Sequence, residues 1–219
     1  MAFPKHTSDT EGQGKDNYAY SLDEQIERLD IRLSSLQRQR LLKFGQLCDD
    51  WSEHTSLFAG NSQRARAEIL FLDALAISKH QLLGKAQSLV DVGAGGGAPS
   101  IPLACLYPDI DILLVEPRRK RVAFLRFCIG ALEFAARVRV MDIGIDPKHP
   151  LKHMEGRFDV ALSRATFSPE QWQRIGKHMA TRTLVFGTQP VASVPSTNSY
   201  RYDVPSTGAI RYITTVSSD

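Results

Sequence analysis

The chain has 219 residues, a formal net charge of +3, and 42% hydrophobic against 23% charged residues. That length suits one substantial core with a small helical appendage, and the composition excludes an intrinsically disordered polymer. No apolar run reaches the roughly 20 residues of a membrane span, and the first residues lack the apolar centre of a secretory signal, so a cytoplasmic location without membrane contact is expected. Cys48, Cys105 and Cys128 form an odd set without metal-like spacing, as expected of reduced core thiols.

Residues 1–20 are polar and aperiodic and are expected to form a mobile tail. Leu22, Ile26, Leu29, Leu33 and Leu36 recur at steps of four and three, which predicts a helix packed on the rest of the chain or on a weak-dimer partner. Further helices are predicted over residues 41–51 and 64–78, separated by SLFAGNS. An all-helical cap therefore spans residues 21–84. Over residues 85–219 short apolar strands alternate with helices: SLVDV, a helix over 99–106, DILLV, a helix over 120–132, RVRVM, FDVALS, a helix over 169–179, and TLVFG. Such alternation predicts an α/β fold with a mostly parallel sheet covered on both faces. NSYRYDV and AIRYITTVS, joined by PSTG, predict a C-terminal antiparallel hairpin at one sheet edge.

Between the first strand and its helix stands LVDVGAGGGAPSIPL, residues 89–103. Glycines where a strand turns into a helix let backbone N–H groups approach a ligand closely. Gly93, Gly95 and Ala98 satisfy the dinucleotide spacing G-x-G-x-x-G/A, and Glu116 closes the second strand where an acid would hold ribose hydroxyls. Two cofactor classes fit that spacing. Asp91, two residues before Gly93, favours S-adenosyl-L-methionine, because a carboxylate there faces a cationic methionine end and would repel a pyrophosphate. The C-terminal hairpin points the same way.

The segment DVGAGGGAPSIPLACLYPDIDILLVEPRRKRVAFL, residues 91–125, resembles the bacterial 16S ribosomal RNA guanine-N7 methyltransferase family, also called glucose-inhibited division protein B. The resemblance rests on Asp91, Gly93, Gly95, Gly97, Pro99, Ile101 and Pro102, then Glu116, Lys120, Arg121, Phe124 and Leu125. It continues at Phe158-Asp159 and Ser163-Arg164-Ala165, and upstream at Trp51 and Asp73. It implies a Rossmann-like class I methyltransferase sheet preceded by a helical cap, S-adenosyl-L-methionine as cofactor, and ribosomal RNA or the small ribosomal subunit as partner. The pattern departs at Ser52 and Ser56-Leu57, at Ile69-Leu70 where the family carries Arg-His, in MDIGID after the third strand, and in FGTQP after the fifth. These departures leave two alternatives open: a non-catalytic relative that keeps RNA or cofactor affinity, and a methyltransferase of small molecules.

Transfer to guanine N7 needs no general base, because the attacking lone pair carries no proton; catalysis then rests on orientation. No His-Asp or Cys-His pair stands near a strand end, and Cys105 and Cys128 fall inside predicted helices. Arg164, where the fourth strand opens, is expected to clamp a phosphate, stack on a base or meet the cofactor carboxylate, and Ser163 to donate to the bound base. Around the cofactor are expected Asp91, Gly93, Ala94, Gly95, Gly97, Pro99, Glu116 and Pro117, with Asp142 and Ile143 at the adenine. Arg118, Arg119, Lys120 and Arg121 open a helix, where the macrodipole disfavours cations, so they are expected to meet RNA phosphates. Trp172, Tyr200 and Tyr202 are read as core or sheet-face aromatics before base-stacking groups. His149, His153 and His178 lack ligand-like spacing, and no metal site is expected.

Overall fold

The structure, a computed structural model, describes residues 17–52, 62–150, 152, 156–191 and 197–218. Residues 1–16, most of SLFAGNS, Ser56, Leu57 and His153 lie outside them. Five parallel strands, β1 (Ser88–Val92), β2 (Asp111–Val115), β3 (Val138–Met141), β4 (Phe158–Ser163) and β5 (Ala180–Gly187), are followed by the antiparallel hairpin β6 (Thr197–Asp203) and β7 (Ile210–Ser217). They form one sheet in the order β3-β2-β1-β4-β5-β7-β6, with β7 antiparallel to β5. The strand order reverses between β1 and β4, and a crevice opens at such a switch point above the carboxyl ends.

The period of two along each strand sorts its side chains between two layers. Leu89, Leu114, Val160, Leu162 and Leu184 join one apolar cluster with the N-terminal helices and with α5 (Ser100–Leu106) and α6 (Arg119–Ala131). Val90, Val92, Val115, Ala161 and Val185 turn to the other face, against Trp172, Ile175 and Met179 of α7 (Pro169–Met179). Asp91 shares the side of Leu89 and is drawn toward α5. Asp159 fixes the start of β1: its Oδ2 accepts the amides of Gln87 at 2.7 Å and Ser88 at 2.9 Å.

The N-terminal helices are α1 (Tyr18–Leu29), α2 (Ser35–Ser52), α3 (Gln63–Ala67), a π-helical turn (Glu68–Leu72) and α4 (Asp73–Lys79). Two expectations are corrected here. Residues 17–20 are not tail, because the Asn17 side chain accepts the Tyr20 amide and caps α1. The stripe from Leu22 to Leu36 is not one helix: α1 stops at Asp30 in the left-handed region (φ 50°), and a new helix starts behind a capping box. In that box Ser34 Oγ accepts the Gln37 amide at 3.2 Å while Gln37 Oε1 accepts the Ser34 amide at 2.8 Å. Leu36 is left 53% exposed.

Several cations that inflate the positive charge act inside the fold. Arg137 donates to the carbonyls of Ala104 in the last turn of α5 and of Tyr107 and Ile110 beyond it, Lys43 to that of Ala131 at the end of α6, and Arg157 to those of Lys177 and Ala180 at the end of α7. Helix C-termini present unpaired carbonyls that basic side chains satisfy. Trp172 is buried with its Nε1 donating to the Leu184 carbonyl, and Tyr202 is buried too, so both are core residues. The three cysteines are free and buried. No helix among the described residues is long and apolar enough to cross a membrane.

Candidate cofactor and acceptor cleft

A cleft of about 570 Å³ lies over the carboxyl ends of β1, β2 and β4. Its floor comes from the loop after β1, with Gly93, Ala94, Gly95, Gly96 and Ala98. One wall comes from Glu116, Pro117, Arg118 and Arg121 after β2, another from Arg164, Ala165 and Thr166 after β4, and Ile69 of the π-helical turn closes the third side.

The loop needs its glycines for different reasons. Gly93 has φ +78°, and a Cβ there would fall 2.0 Å from Thr166 Oγ1. Gly97 has φ +91° and packs on α5 and α6, where a Cβ would meet Ile101 Cγ1 at 2.7 Å and Leu125 Cδ2 at 3.0 Å. Gly95, at φ +59°, lines the cleft, and a Cβ there would have Arg121 Nη1, 3.7 Å away, as its nearest neighbour.

Glu116 ties the loop to the second wall. Its Oε2 accepts the Gly95 amide at 2.9 Å and lies 4.0 Å from Arg121 Nη1, and its Oε1 accepts the Arg118 amide at 2.9 Å. The carboxylate thereby serves the cation-rich start of α6, where the Arg118 side chain makes no cap; Glu116 is 2% exposed, and each oxygen accepts one hydrogen bond from the described residues.

Asp91 and Ser163 look inward instead. Asp91 is 1% exposed, accepts Ser100 Oγ at 2.6 Å and does not line the cleft. Burial pushes its carboxyl up to about 7, against the smaller opposing effects of Ser100 and Arg164. Because the folded pKa exceeds the unfolded one, the group favours the fold below about pH 4, and that advantage is lost as pH rises to about 7. Compared with an Asp91→Asn variant, the wild type should lose about 1 kcal/mol per pH unit between pH 5 and 7 and then level off. Urea unfolding at four pH values measures this, and parallel curves would refute it. The Ser163 hydroxyl donates to the Val92 carbonyl at 2.6 Å. Its single proton is thus committed between β1 and β4, so the expected donation to a base is not available in this arrangement. Pro99 is buried under the loop, and Asp142 and Ile143 lie outside the cleft, Ile143 packing on the α7 face. Arg119 and Lys120 are exposed beyond its rim.

Arg164 is held by a network around one buried carboxylate. Its Nη1 donates to Asp73 Oδ2 at 2.7 Å and to the Ile69 carbonyl at 2.9 Å. Asp73 is 1% exposed; its Oδ1 accepts the Tyr202 hydroxyl at 2.7 Å and lies 3.6 Å from Arg211 Nη1. Burial first, and Asp73 second, push the Tyr202 phenol up, so it stays a donor. Of this network the sequence singles out Asp73, Arg164 and, as a core aromatic, Tyr202, but not Arg211; of the cleft positions, Ile69 and Ala165 enter only through the family pattern and Thr166 not at all. One signal was present: Asp73 is a lone acid inside the apolar run ILFLDALAI, and a buried acid requires partners.

The family described as GidB, rRNA small subunit methyltransferase G, matches residues 37–187. The chain belongs to this family. A protein named ribosomal RNA small subunit methyltransferase G from Clostridium botulinum (strain Okra / Type B1) is 31% identical over 126 residues, which is 58% of this chain and 52% of that protein. One of the same name from Vibrio cholerae serotype O1 (strain M66-2) is 34% identical over 147 residues, 66% of this chain and 65% of the relative. The chain thus spans about half to two-thirds of the length of these GidB relatives. Among solved structures, a putative O-methyltransferase from Klebsiella pneumoniae aligns with a TM-score of 0.56 at 12% identity, over 94% of this chain and 99% of that one. The METTL16 methyltransferase domain aligns with a TM-score of 0.55 at 11% identity, over 98% and 97%. At such identities the likeness speaks for the fold, a methyltransferase-type sheet. The GidB match takes in the cleft loops and stops at the end of β5, before the hairpin that supplies Tyr202 and Arg211.

Proposed function

We propose that this chain transfers a methyl group from S-adenosyl-L-methionine to guanine N7 of 16S ribosomal RNA, acting in the cytoplasm as a monomer or weak dimer. The observation that carries this reading is the cradle at Gly95. A backbone position without a side chain stands beside an acid that lines the same cleft and whose oxygens each accept one amide, in a cleft whose volume suits a small-molecule site. When bound, the cofactor supplies a methyl group on a sulfonium centre. The backbone of residues 93–96 gives it close approach, the Glu116 oxygens accept its ribose hydroxyls, and Pro117 forms part of the wall beside it. Gly144, whose Cβ position lies 3.9 Å from Pro117, brings the stretch after β3 to the same wall, which supports Asp142 and Ile143 as outer neighbours of the adenine.

Arg164 orients the acceptor. Among the described residues both of its hydrogen bonds are made by Nη1, which leaves Nη2 and Nε for a base edge or a phosphate. Arg118 and Arg121 line the cleft, and Arg119 and Lys120 continue the cationic rim outward, where phosphate contacts add affinity without sequence preference. Orientation of N7 against the methyl group accounts for the catalysis, since no proton has to leave the attacking atom.

The test is methyl incorporation into 30S subunits that lack the modification, together with calorimetry using S-adenosylhomocysteine. Wild type should label the RNA and bind the product, and Gly95→Trp should abolish both. Arg119→Glu with Lys120→Glu should lower labelling about tenfold or more while product affinity stays within about threefold. A folded wild type that binds no product refutes the reading, and one that binds product but never labels RNA refutes the acceptor.

A further inference from the structure

We propose that the C-terminal hairpin belongs to the active-site machinery: Tyr202 of β6 is a positioning residue that holds Asp73 against the competing pull of Arg211 of β7 and so sets the Arg164 guanidinium at the cleft wall. The proposal rests on reading Arg164 as the group that faces the acceptor.

Asp73 is one carboxylate between two guanidinium groups. Oδ2 is 2.7 Å from Arg164 and Oδ1 is 3.6 Å from Arg211, so the two cations compete for one anion that is 1% exposed. The Tyr202 hydroxyl decides that competition. By donating to Oδ1 at 2.7 Å it occupies the oxygen nearest Arg211 and keeps the carboxylate turned with Oδ2 toward Arg164. Without this hydroxyl, Oδ1 retains only the distant Arg211, and the carboxylate gains by swinging toward it. That movement withdraws an anchor from Nη1 of Arg164, which is then held by the Ile69 carbonyl alone. Tyr202 is 129 residues from Asp73 in sequence, and Arg164 is 91. The cap, β4 and the hairpin thus meet at one carboxylate.

The consequence has a sign that ordinary loss of packing does not produce. Tyr202→Phe keeps the ring and should loosen Arg164. Removing the competing cation as well, in Tyr202→Phe/Arg211→Gln, should return the carboxylate to Arg164 and restore it. Phenylglyoxal labelling of the folded full-length protein, read at Arg164 by peptide mass spectrometry, measures this without substrate or cofactor. Arg137, bonded to three carbonyls far from the network, serves as the internal control. Labelling at Arg164 should rise at least about threefold in Tyr202→Phe, stay at the wild-type rate at Arg137, and fall back in the double variant. With 30S subunits, Tyr202→Phe should lower kcat about tenfold while KM for the cofactor stays fixed, and the double variant should recover most of it.

Wild-type labelling of Arg164 in Tyr202→Phe overturns the proposal, as does a double variant no better than the single one. Arg211→Gln alone provides a second check: it should label Arg164 no faster than wild type, and faster labelling likewise overturns the proposal. A wild type inert on 30S subunits would defeat the functional reading but not the labelling result, so the two failures are distinguishable.

Discussion

Replacing Gly93 by alanine is expected to destabilise the chain by about 2–4 kcal/mol and to abolish binding of the cofactor product. Two penalties add. The backbone sits at φ +78°, where a Cβ costs roughly 1–2 kcal/mol by itself. The new methyl group would also fall 2.0 Å from Thr166 Oγ1 and 2.9 Å from both Thr166 Cβ and Cγ2. Thr166 cannot simply rotate away, since its Cβ is part of the clash. Its backbone follows Ala165, which is already in the left-handed region at φ 58°, and Arg164 precedes both. Displacing Thr166 therefore disturbs the wall that carries Arg164. Gly95→Ala isolates the first penalty, because its φ is +59° and nothing lies within 3.7 Å; it should cost about 1 kcal/mol. Urea unfolding of both variants provides the comparison. A Gly93→Ala protein within about 0.5 kcal/mol of Gly95→Ala would show that Thr166 does not press on the loop.

Asp73→Ala is expected to cost about 2–4 kcal/mol, because it leaves the buried Tyr202 hydroxyl without an acceptor and removes the anion from Arg164 and Arg211, whose partial exposure lets water screen part of the loss. For a chain of this length that corresponds to a drop of roughly 10 °C in the melting temperature. Asp73→Asn keeps the acceptor oxygen and the shape but not the charge, so it should fall between wild type and Asp73→Ala. Both variants should lose methyl transfer well before they lose product binding, since Asp73 touches Arg164 and not the glycine loop. Calorimetric melting and product titration on the same preparations measure the two effects. A melting temperature within about 2 °C of wild type for Asp73→Ala would mean that the carboxylate is not paired as described.

Much of the fold was legible because it depends on local pattern. The strands β1 to β4 and the helices α5, α6 and α7 follow from apolar runs bounded by turn residues, and β6 and β7 from alternation around PSTG. The break at Asp30 was missed because the leucine spacing carries across it, whereas the S-x-x-Q signal at Ser34 and Gln37 marks the second helix start. Of the cleft, the parts contributed by loop and helix start were readable: Gly93, Ala94, Gly95, Glu116, Pro117, Arg118, Arg121 and Arg164 all line it. Motif position does not reveal which way a polar side chain turns. Asp91 and Ser163 occupy the expected places in the chain, yet their bonds go to Ser100 and the Val92 carbonyl. The partners of Arg164 were the least readable, since Asp73, Tyr202 and Arg211 converge from the cap and the far sheet edge and share no local pattern.

The apolar cluster that joins Leu22, Phe44 and Phe71 to Leu89, Leu114 and Leu162 has a consequence for how the molecule comes apart. Because the first helices and the sheet share this one cluster, neither has a private interior to retain when the other lets go. Melting should then be a single cooperative event. A fragment starting at residue 85 would bare the apolar surface those helices cover and precipitate, which makes the leading helices a structural necessity for the sheet and its flanking helices as well as a wall of the cleft.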